Sequence, residues 1–240
     1  MTAETIAANL ADVRARIAAA CARAGRDPGD VRLLPVSKTR PASDVRDAHA
    51  AGVARFAENR AQEALEKAEA LAGSGVEWAM IGHLQLNKAR LVARFAAEFQ
   101  ALDSVELAAE LDRRLGAAGR QLDVLIQVNT SGEATKSGLA PAEVAAFARR
   151  LSPFDALRVR GLMTIAAPSA DPEVVAPCFA ALRAAQAALR DQGTPGQAYD
   201  ELSMGMSGDF ELAVEHGATV VRIGTAIFGP RVAAGRPAAG

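Results

Sequence analysis

From residue 32 onward the chain alternates two hydrophobic rhythms. Short apolar runs are followed by longer stretches in which apolar residues recur every three or four positions. The first rhythm predicts buried strands and the second amphipathic helices. Strands are expected at 33–38, 55–59, 78–82, 100–104, 124–129, 159–165, 202–205 and 220–224. Helical patterns lie between them, for example at 61–71, 105–115, 141–151 and 173–189. Another helix precedes the first strand, with Ile6, Leu10, Val13 and Ile17 on one face. Strands alternating with helices predict a parallel sheet. Eight such units, with no second block of strands, predict an α/β fold: a closed (β/α)₈ TIM barrel with an extra N-terminal helix. An open doubly wound sheet is the alternative. No linker interrupts the pattern, so residues 1–240 are expected to form one domain, with the Gly/Pro-rich 235–240 frayed as a disordered tail.

The polar positions are as patterned as the apolar ones. Lys38, Asn59, His83, Ser104, Asn129-Thr130-Ser131, Met204-Gly205 and Gly224-Thr225 fall at or just after the C-terminal ends of the predicted strands. In a (β/α)₈ barrel those ends form one mouth, where active sites sit. Turns are polar in any protein. Amides, hydroxyls and glycines repeated at strand after strand point instead to a shared pocket.

Composition narrows the chemistry. Half of the 240 residues are apolar and the formal charge is −1, which argues against non-specific nucleic-acid binding. No apolar run is long enough to span a bilayer, and the first residues lack an export signal. Cys21 and Cys178 stand alone, and His49, His83 and His216 are far apart, so no zinc pattern exists. These features predict a reduced, cytoplasmic protein, and the near-neutral, patch-poor chain a monomer. Only four of the 27 basic residues are lysines, and one of them, Lys38, ends the first predicted strand. Arginine can neither give up its proton nor form an imine; a partly desolvated lysine can do both. A strand-end lysine can also pack its stem and hold its head in water.

Two late segments suit an anion. Leu202-Ser203-Met204-Gly205-Met206-Ser207-Gly208-Asp209 leaves a strand through glycines and serines and enters a helix. Backbone N–H groups and hydroxyls at such a turn fit a phosphate, although an ordinary capped loop needs the same residues. In Val221-Arg222-Ile223-Gly224-Thr225 an arginine interrupts an apolar strand. That charge must be paired, with a core carboxylate or with a ligand. The loops after strands seven and eight are the recurrent phosphate site of this barrel. His83 reads as structural, Met163-Thr164 as pocket lining, and the long loop after strand five as a cover for the mouth. No dinucleotide, P-loop or nucleophile-elbow motif occurs. A lysine amine facing a phosphate site suggests an aldehyde phosphate, and pyridoxal 5′-phosphate (PLP) fits. A class-I aldolase would also need acids at the strand ends, where few stand.

With these stretches in hand, the chain resembles the YggS/PROSC family of pyridoxal phosphate homeostasis proteins. The resemblance is carried by Val36-Ser37-Lys38-Thr39, Phe56-Ala57-Glu58-Asn59-Arg60-Ala61-Gln62-Glu63, Ile81-Gly82-His83-Leu84-Gln85-Leu86-Asn87-Lys88, Gln127-Val128-Asn129-Thr130-Ser131-Gly132-Glu133, Arg160-Gly161-Leu162-Met163-Thr164 and the stretches 202–211 and 221–231. It implies the fold of the N-terminal barrel of alanine racemases. It also implies that Lys38 forms the covalent imine with PLP. Ser207, Gly224 and Thr225 would hold the phosphate, Arg222 would face the pyridine nitrogen, and Asn59 and Met204 would line the ring pocket. Ala57 stands where the family often has glycine, and Arg60 where it often has an aromatic residue.

The resemblance implies a protein that binds, buffers or delivers PLP, with apo-forms of PLP enzymes as transient partners. The alternative is a PLP-dependent amino-acid racemase. Racemization needs a base on each face of the imine. The chain's one tyrosine, Tyr199, precedes strand seven and so falls at the wrong end of the barrel. The β-domain that closes racemase sites is also expected to be missing, since no second block of strands follows the eighth strand. An arginine at the pyridine nitrogen disfavours protonating it. Catalysis is therefore not expected.

Overall fold

A computed structural model describes residues 1–133, 136–191 and 199–230. Eight parallel strands follow one another: β1 (Arg32–Pro35), β2 (Arg55–Glu58), β3 (Glu77–Met80), β4 (Glu98–Leu102), β5 (Leu122–Gln127), β6 (Leu157–Met163), β7 (Glu201–Ser203) and β8 (Val220–Ile223). Their order is β1-β8-β7-β6-β5-β4-β3-β2. A bridge between Val36 and Ala57 joins the two ends, and the Ser37 N–H donates to the Ala57 carbonyl at 3.0 Å. The sheet is a barrel, and the doubly wound alternative falls.

Helices α1 (Ala3–Arg23), α2 (Ala42–Ala50), α3 (Ala61–Ala70), α4 (Ala89–Phe95), α5 (Val105–Ala117), α6 (Val144–Arg150), α7 (Pro172–Asp191), α8 (Phe210–Glu215) and α9 (Thr225–Phe228) surround it. The extra helix α1 is capped by Thr2, whose hydroxyl accepts the Thr5 N–H at 3.2 Å. Its buried face, Ile6, Leu10, Val13 and Ile17 with Ala20 and Cys21, packs against α2, α8 and α9. It thereby covers the outside of the barrel around the β8–β1 seam. The 235–240 tail lies outside the described residues.

Strands β4, β5 and β6 each begin and end two residues earlier than the hydrophobic pattern predicts. The cause is charge. Glu98, Asp123 and Arg158 read as loop residues in the sequence, yet each lies in a strand near its start. Side chains alternate across a strand, so Arg32, Leu34 and Val36 share the inner side of the barrel, as do Arg55 and Ala57, and Glu77 and Ala79. Leu34, Val36, Ala57, Ala79 and Val220 form their own small apolar cluster, separate from the main core under the helices.

Below that cluster lies an ionic floor. Arg32 pairs with Glu98 at 3.0 Å and with Glu201 at 2.9 Å. Arg55 pairs with Glu77 at 2.7 Å and also with Glu98. Glu98 is buried, and burial alone would raise its carboxyl pKa. Arg32, Gln100 and Arg55 outweigh burial and hold it below the ordinary glutamate value. Gln100 donates to Glu98, and its own carbonyl accepts the Ser203 hydroxyl at 2.6 Å. The Ser203 hydroxyl in turn accepts from Arg222 at 2.7 Å. A hydrogen-bonded file thus runs up the barrel axis from the floor to the level of Arg222.

Candidate functional site

The inner columns carry the site. Lys38 continues the alternation of Leu34 and Val36, Asn59 that of Ala57, and Gly224 that of Val220 and Arg222. The barrel therefore brings Lys38, Asn59, Arg222 and Gly224 to its mouth although they are distant in sequence. Lys38 is half-buried. With Val36, Arg40, Gly224 and Thr225 it lines a small cavity of about 30 Å³. Strand pairing explains the meeting, because Pro35 lies opposite Ile223 and the Val36 N–H donates to the Ile223 carbonyl at 2.9 Å. A Cβ on Gly224 would stand 3.2 Å from the Val36 carbonyl oxygen. Glycine lets the exit of β8 pass this close to β1.

Arg222 is 4% exposed. Its guanidinium donates to the Ser203 hydroxyl and to the Thr164 carbonyl, each at 2.7 Å. Among the described residues no carboxylate forms an ion pair with it, so the core-carboxylate alternative is corrected. Burial pulls its pKa down to about 10, and the charge of Asp209 opposes that pull. The two bonds occupy two of the roughly five N–H donors of a guanidinium. Thr164, read from the sequence as pocket lining, holds Arg222 through its carbonyl.

The loops after β7 and β8 touch. Gly205 has φ +91°, and a Cβ there would sit 2.6 Å from that of Ala213. The turn out of β7 therefore requires glycine. Met204, just before it, is fully buried. Asp209 accepts the Met206 N–H at 2.6 Å, and the half-buried Ser207 hydroxyl accepts the Ala226 N–H at 3.5 Å. Thr225 is exposed at the start of α9. Ser207 and Thr225 thus flank one rim of the mouth.

Asn59 faces a second cavity, of about 230 Å³, with Gly82, His83, Gln127 and Lys136. The Asn59 and Gln127 side-chain carbonyl oxygens are buried with no hydrogen-bond partner. The Gln127 amide donates to the Ser137 carbonyl at 3.1 Å, which fixes its orientation. A Cβ on Gly82 would overlap the Asn59 carbonyl, so glycine allows β2 and β3 to leave the barrel side by side. Two orphaned acceptors, a buried guanidinium with no ion-paired carboxylate among the described residues and a glycine-rich rim fit a flat, polar, phosphate-bearing ring. His83 is exposed at the edge.

Not every polar strand end belongs to the mouth. Ser104 caps α5 by accepting the Leu107 N–H at 3.2 Å. Asn129 does both: it lines the cavity of about 230 Å³ and ties its own loop by donating to the Glu133 carbonyl at 2.9 Å. That loop closes on itself where Asn129 N–H meets the Leu139 carbonyl at 2.8 Å. Sequence reasoning also missed a cluster on the outer side of the sheet. Lys67 of α3 is buried and donates to Glu58 at 2.6 Å, to Glu63 at 2.8 Å and to the Ser37 carbonyl at 2.8 Å. The Ser37 hydroxyl donates to Glu58 at 2.7 Å, and Glu63 accepts the Thr39 N–H at 2.6 Å. The spacing of Glu63 and Lys67, one helical turn, was the available signal.

The family described as alanine racemase, N-terminal domain, matches residues 8–232. A pyridoxal phosphate homeostasis protein of Pseudomonas aeruginosa is 46% identical over 227 residues, covering 95% of this chain and 96% of that protein. One of Escherichia coli is 43% identical over 229 residues, covering 94% and 97%. The chain belongs to the pyridoxal phosphate homeostasis protein family. A solved member, PipY of Synechococcus elongatus with PLP bound, is 38% identical with a TM-score of 0.82, covering 93% of this chain and all of that one. Alanine racemase of Clostridium difficile shares the fold, with a TM-score of 0.76 at 15% identity, but this chain covers only 57% of it. The two homeostasis proteins thus match over nearly their whole length, and this alanine racemase over little more than half of its own. Tyr199 is buried just before β7, on the floor side, away from the mouth.

Proposed function

We propose that this chain binds PLP through a covalent imine to Lys38 and serves to buffer or deliver the cofactor without turning over amino acids. The observation that carries the reading is the convergence of Lys38, Gly224 and Thr225 on one cavity, beside a buried Arg222 that no carboxylate of the described residues neutralises. The PLP-bound relative PipY supports it. Ser207, Gly224 and Thr225 hold the phosphate. Arg222 faces the pyridine nitrogen. Asn59 and Met204 line the ring pocket. PLP supplies an electrophilic aldehyde and a ring that withdraws electrons from a bound amine.

The residues around that ring favour retention over catalysis. Even at about 10, the pKa of Arg222 leaves it charged near neutral pH, which disfavours a proton on the pyridine nitrogen; racemases tolerate such an arginine, so the missing second base carries more weight. A racemase needs a second base opposite Lys38, and the chain's one tyrosine is at the floor. Apo-forms of PLP enzymes are the recipients this reading implies. A cytoplasmic location is part of the same reading, and no helix of the described residues is long and apolar enough to cross a membrane. The large apolar side chains that stay exposed, such as Leu86, Val174 and Met206, are scattered along the chain, and this supports a monomer.

Borohydride reduction followed by peptide mapping should place the pyridoxyl mass on Lys38, and Lys38→Ala should remove the imine absorption. A label found chiefly on Lys67, Lys88 or Lys136 sinks the assignment. Incubation with L- and D-alanine in deuterated water should show no stereoinversion. Inversion on the order of 1 s⁻¹ or faster, lost in Lys38→Ala, restores the racemase.

A further inference from the structure

Lys38 points into the barrel, but the residues on either side of it are held from outside. Ser37 is fully buried, and its hydroxyl and carbonyl are bound by Glu58 and Lys67. Thr39 has φ +65°, a left-handed conformation that a β-branched residue adopts only under constraint. Its N–H is taken by Glu63 at 2.6 Å, a short contact to a carboxylate. Glu63 is steadied in turn by Lys67, four residues along α3. Burial would raise the Glu63 pKa, but Lys67 and the Thr39 N–H outweigh it, so the group stays ionised. Burying an ammonium between two carboxylates is weak evidence of a gain in stability, since apolar residues of like volume serve as well. The cluster's specific product is the fixed backbone around one residue, Lys38.

We propose that Glu63 and Lys67 are positioning residues for Lys38. They hold Thr39 left-handed and Ser37 in place, and so set the direction from which the Lys38 amine meets the aldehyde. The inference rests on the reading that Lys38 carries PLP. It adds that the geometry of this lysine is imposed by α3, a helix that contributes nothing to the mouth itself. Neither cavity at the mouth is lined by Ser37, Thr39, Glu58, Glu63 or Lys67, so loss of the cluster should impair bond formation and spare non-covalent binding.

The test compares wild type with Glu63→Ala and Glu63→Asp. One Glu63 oxygen accepts both the Thr39 N–H and the Lys67 ammonium, and a glutamine carbonyl would keep both bonds. Glu63→Asp keeps the charge beside Lys67 but withdraws the oxygen from the Thr39 N–H. Imine formation is followed by its absorbance after mixing with PLP, and non-covalent binding with deoxypyridoxine phosphate, which lacks the aldehyde. Both variants should form the imine about tenfold to a hundredfold more slowly, the scale expected when a reacting group is misplaced by roughly an ångström. Affinity for deoxypyridoxine phosphate should stay within about twofold of wild type. Adding Thr39→Gly to either variant should recover part of the rate, because glycine takes φ near +65° without being held there. Wild-type imine rates in both variants would overturn the proposal. So would a parallel loss of deoxypyridoxine phosphate affinity, which marks a merely structural role, or a failure of Thr39→Gly to restore any rate. A wild-type imine mapped to another lysine is a separate result and removes the underlying reading instead.

Discussion

At the floor of the barrel, Arg32, Arg55, Glu77, Glu98 and Glu201 pair with one another; at the mouth, the buried side-chain carbonyls of Asn59 and Gln127 have no hydrogen-bond donor and Arg222 has no ion-paired carboxylate among the described residues. Both ends bury charged or amide groups among the same eight strands. The floor pairs its charges internally, with a carboxylate between two guanidiniums, although Arg32 Nη1 reaches Glu98 as an ion pair without a well-aligned hydrogen bond. The mouth leaves a guanidinium without a carboxylate and two carbonyls without donors, beside cavities of about 30 and 230 Å³. An unpaired polar group in a folded interior costs free energy. Groups arranged to be completed by something from outside mark the end of a barrel that binds. The file through Gln100 and Ser203 connects the two ends, so the floor also steadies Arg222.

The contrast breaks if removing a floor charge is cheap. Glu98→Ala removes the carboxylate shared by the half-buried Arg32 and Arg55 and leaves them Glu201 and Glu77 alone. Truncating one partner of a fully buried pair costs about 3–5 kcal/mol, and the remaining partners and partial exposure put the loss at or below the low end of that range. Urea unfolding should report that loss. The fraction still folded should keep the imine absorption, because the cluster around Lys38 is untouched. A loss under about 1 kcal/mol would show that water reaches the floor.

The mouth should respond in affinity instead. A hydrogen bond to a charged acceptor contributes about 1.5–3 kcal/mol. Ser207→Ala and Thr225→Ala should each weaken PLP binding by up to that amount, with pyridoxal binding little changed and unfolding midpoints close to wild type. Pyridoxal binding the wild-type protein as tightly as PLP would contradict the placement of the phosphate between these loops.

Both ends of the barrel leave traces in the amino-acid sequence. The alternation of rhythms predicts the strand order of a barrel, and the polar strand ends predict a mouth. What misleads is chemistry that period and polarity cannot distinguish. Glu98 looks like a loop residue because a charged residue in a strand is normally exposed; only the arginines of β1 and β2 that face it make it interior. Ser104 looks like a pocket residue but is spent on a helix cap. Lys67 looks like a surface lysine of an amphipathic helix, and its burial depends on Glu58 arriving from β2.

The two carboxylates Glu98 and Glu58 should separate the regions by pH. The folded pKa of Glu98 lies below its ordinary 4.5, so its contribution to stability is present above that value and is lost as pH falls through the lower one. Glu58 has the opposite sign. Burial raises its pKa more than Lys67 and Ser37 lower it, so its contribution is present below 4.5 and is lost as pH rises through the raised value. Glu98→Gln should therefore flatten the acid limb of a stability–pH curve. Glu58→Gln should flatten the limb above 4.5. A curve left unchanged by both substitutions would mean that neither pair is as dry as its burial implies.

The smallest expected change in stability is the most telling about the mouth. The Asn59 side-chain carbonyl is buried and unpartnered in the chain without ligand. Deleting such a group relieves a desolvation cost of about 1–3 kcal/mol and forfeits some packing. The two effects oppose each other, so Asn59→Ala should leave the unfolding free energy of the ligand-free protein within about 1 kcal/mol of wild type. Binding of PLP should still weaken, because the substitution removes a ring contact that exists only in the complex. A buried amide whose loss harms the complex and spares the free protein is placed for its ligand. If Asn59→Ala instead destabilised the free protein as Glu98→Ala is expected to do, Asn59 would belong with the floor, as a structural group, and the ring pocket would have to be drawn without it.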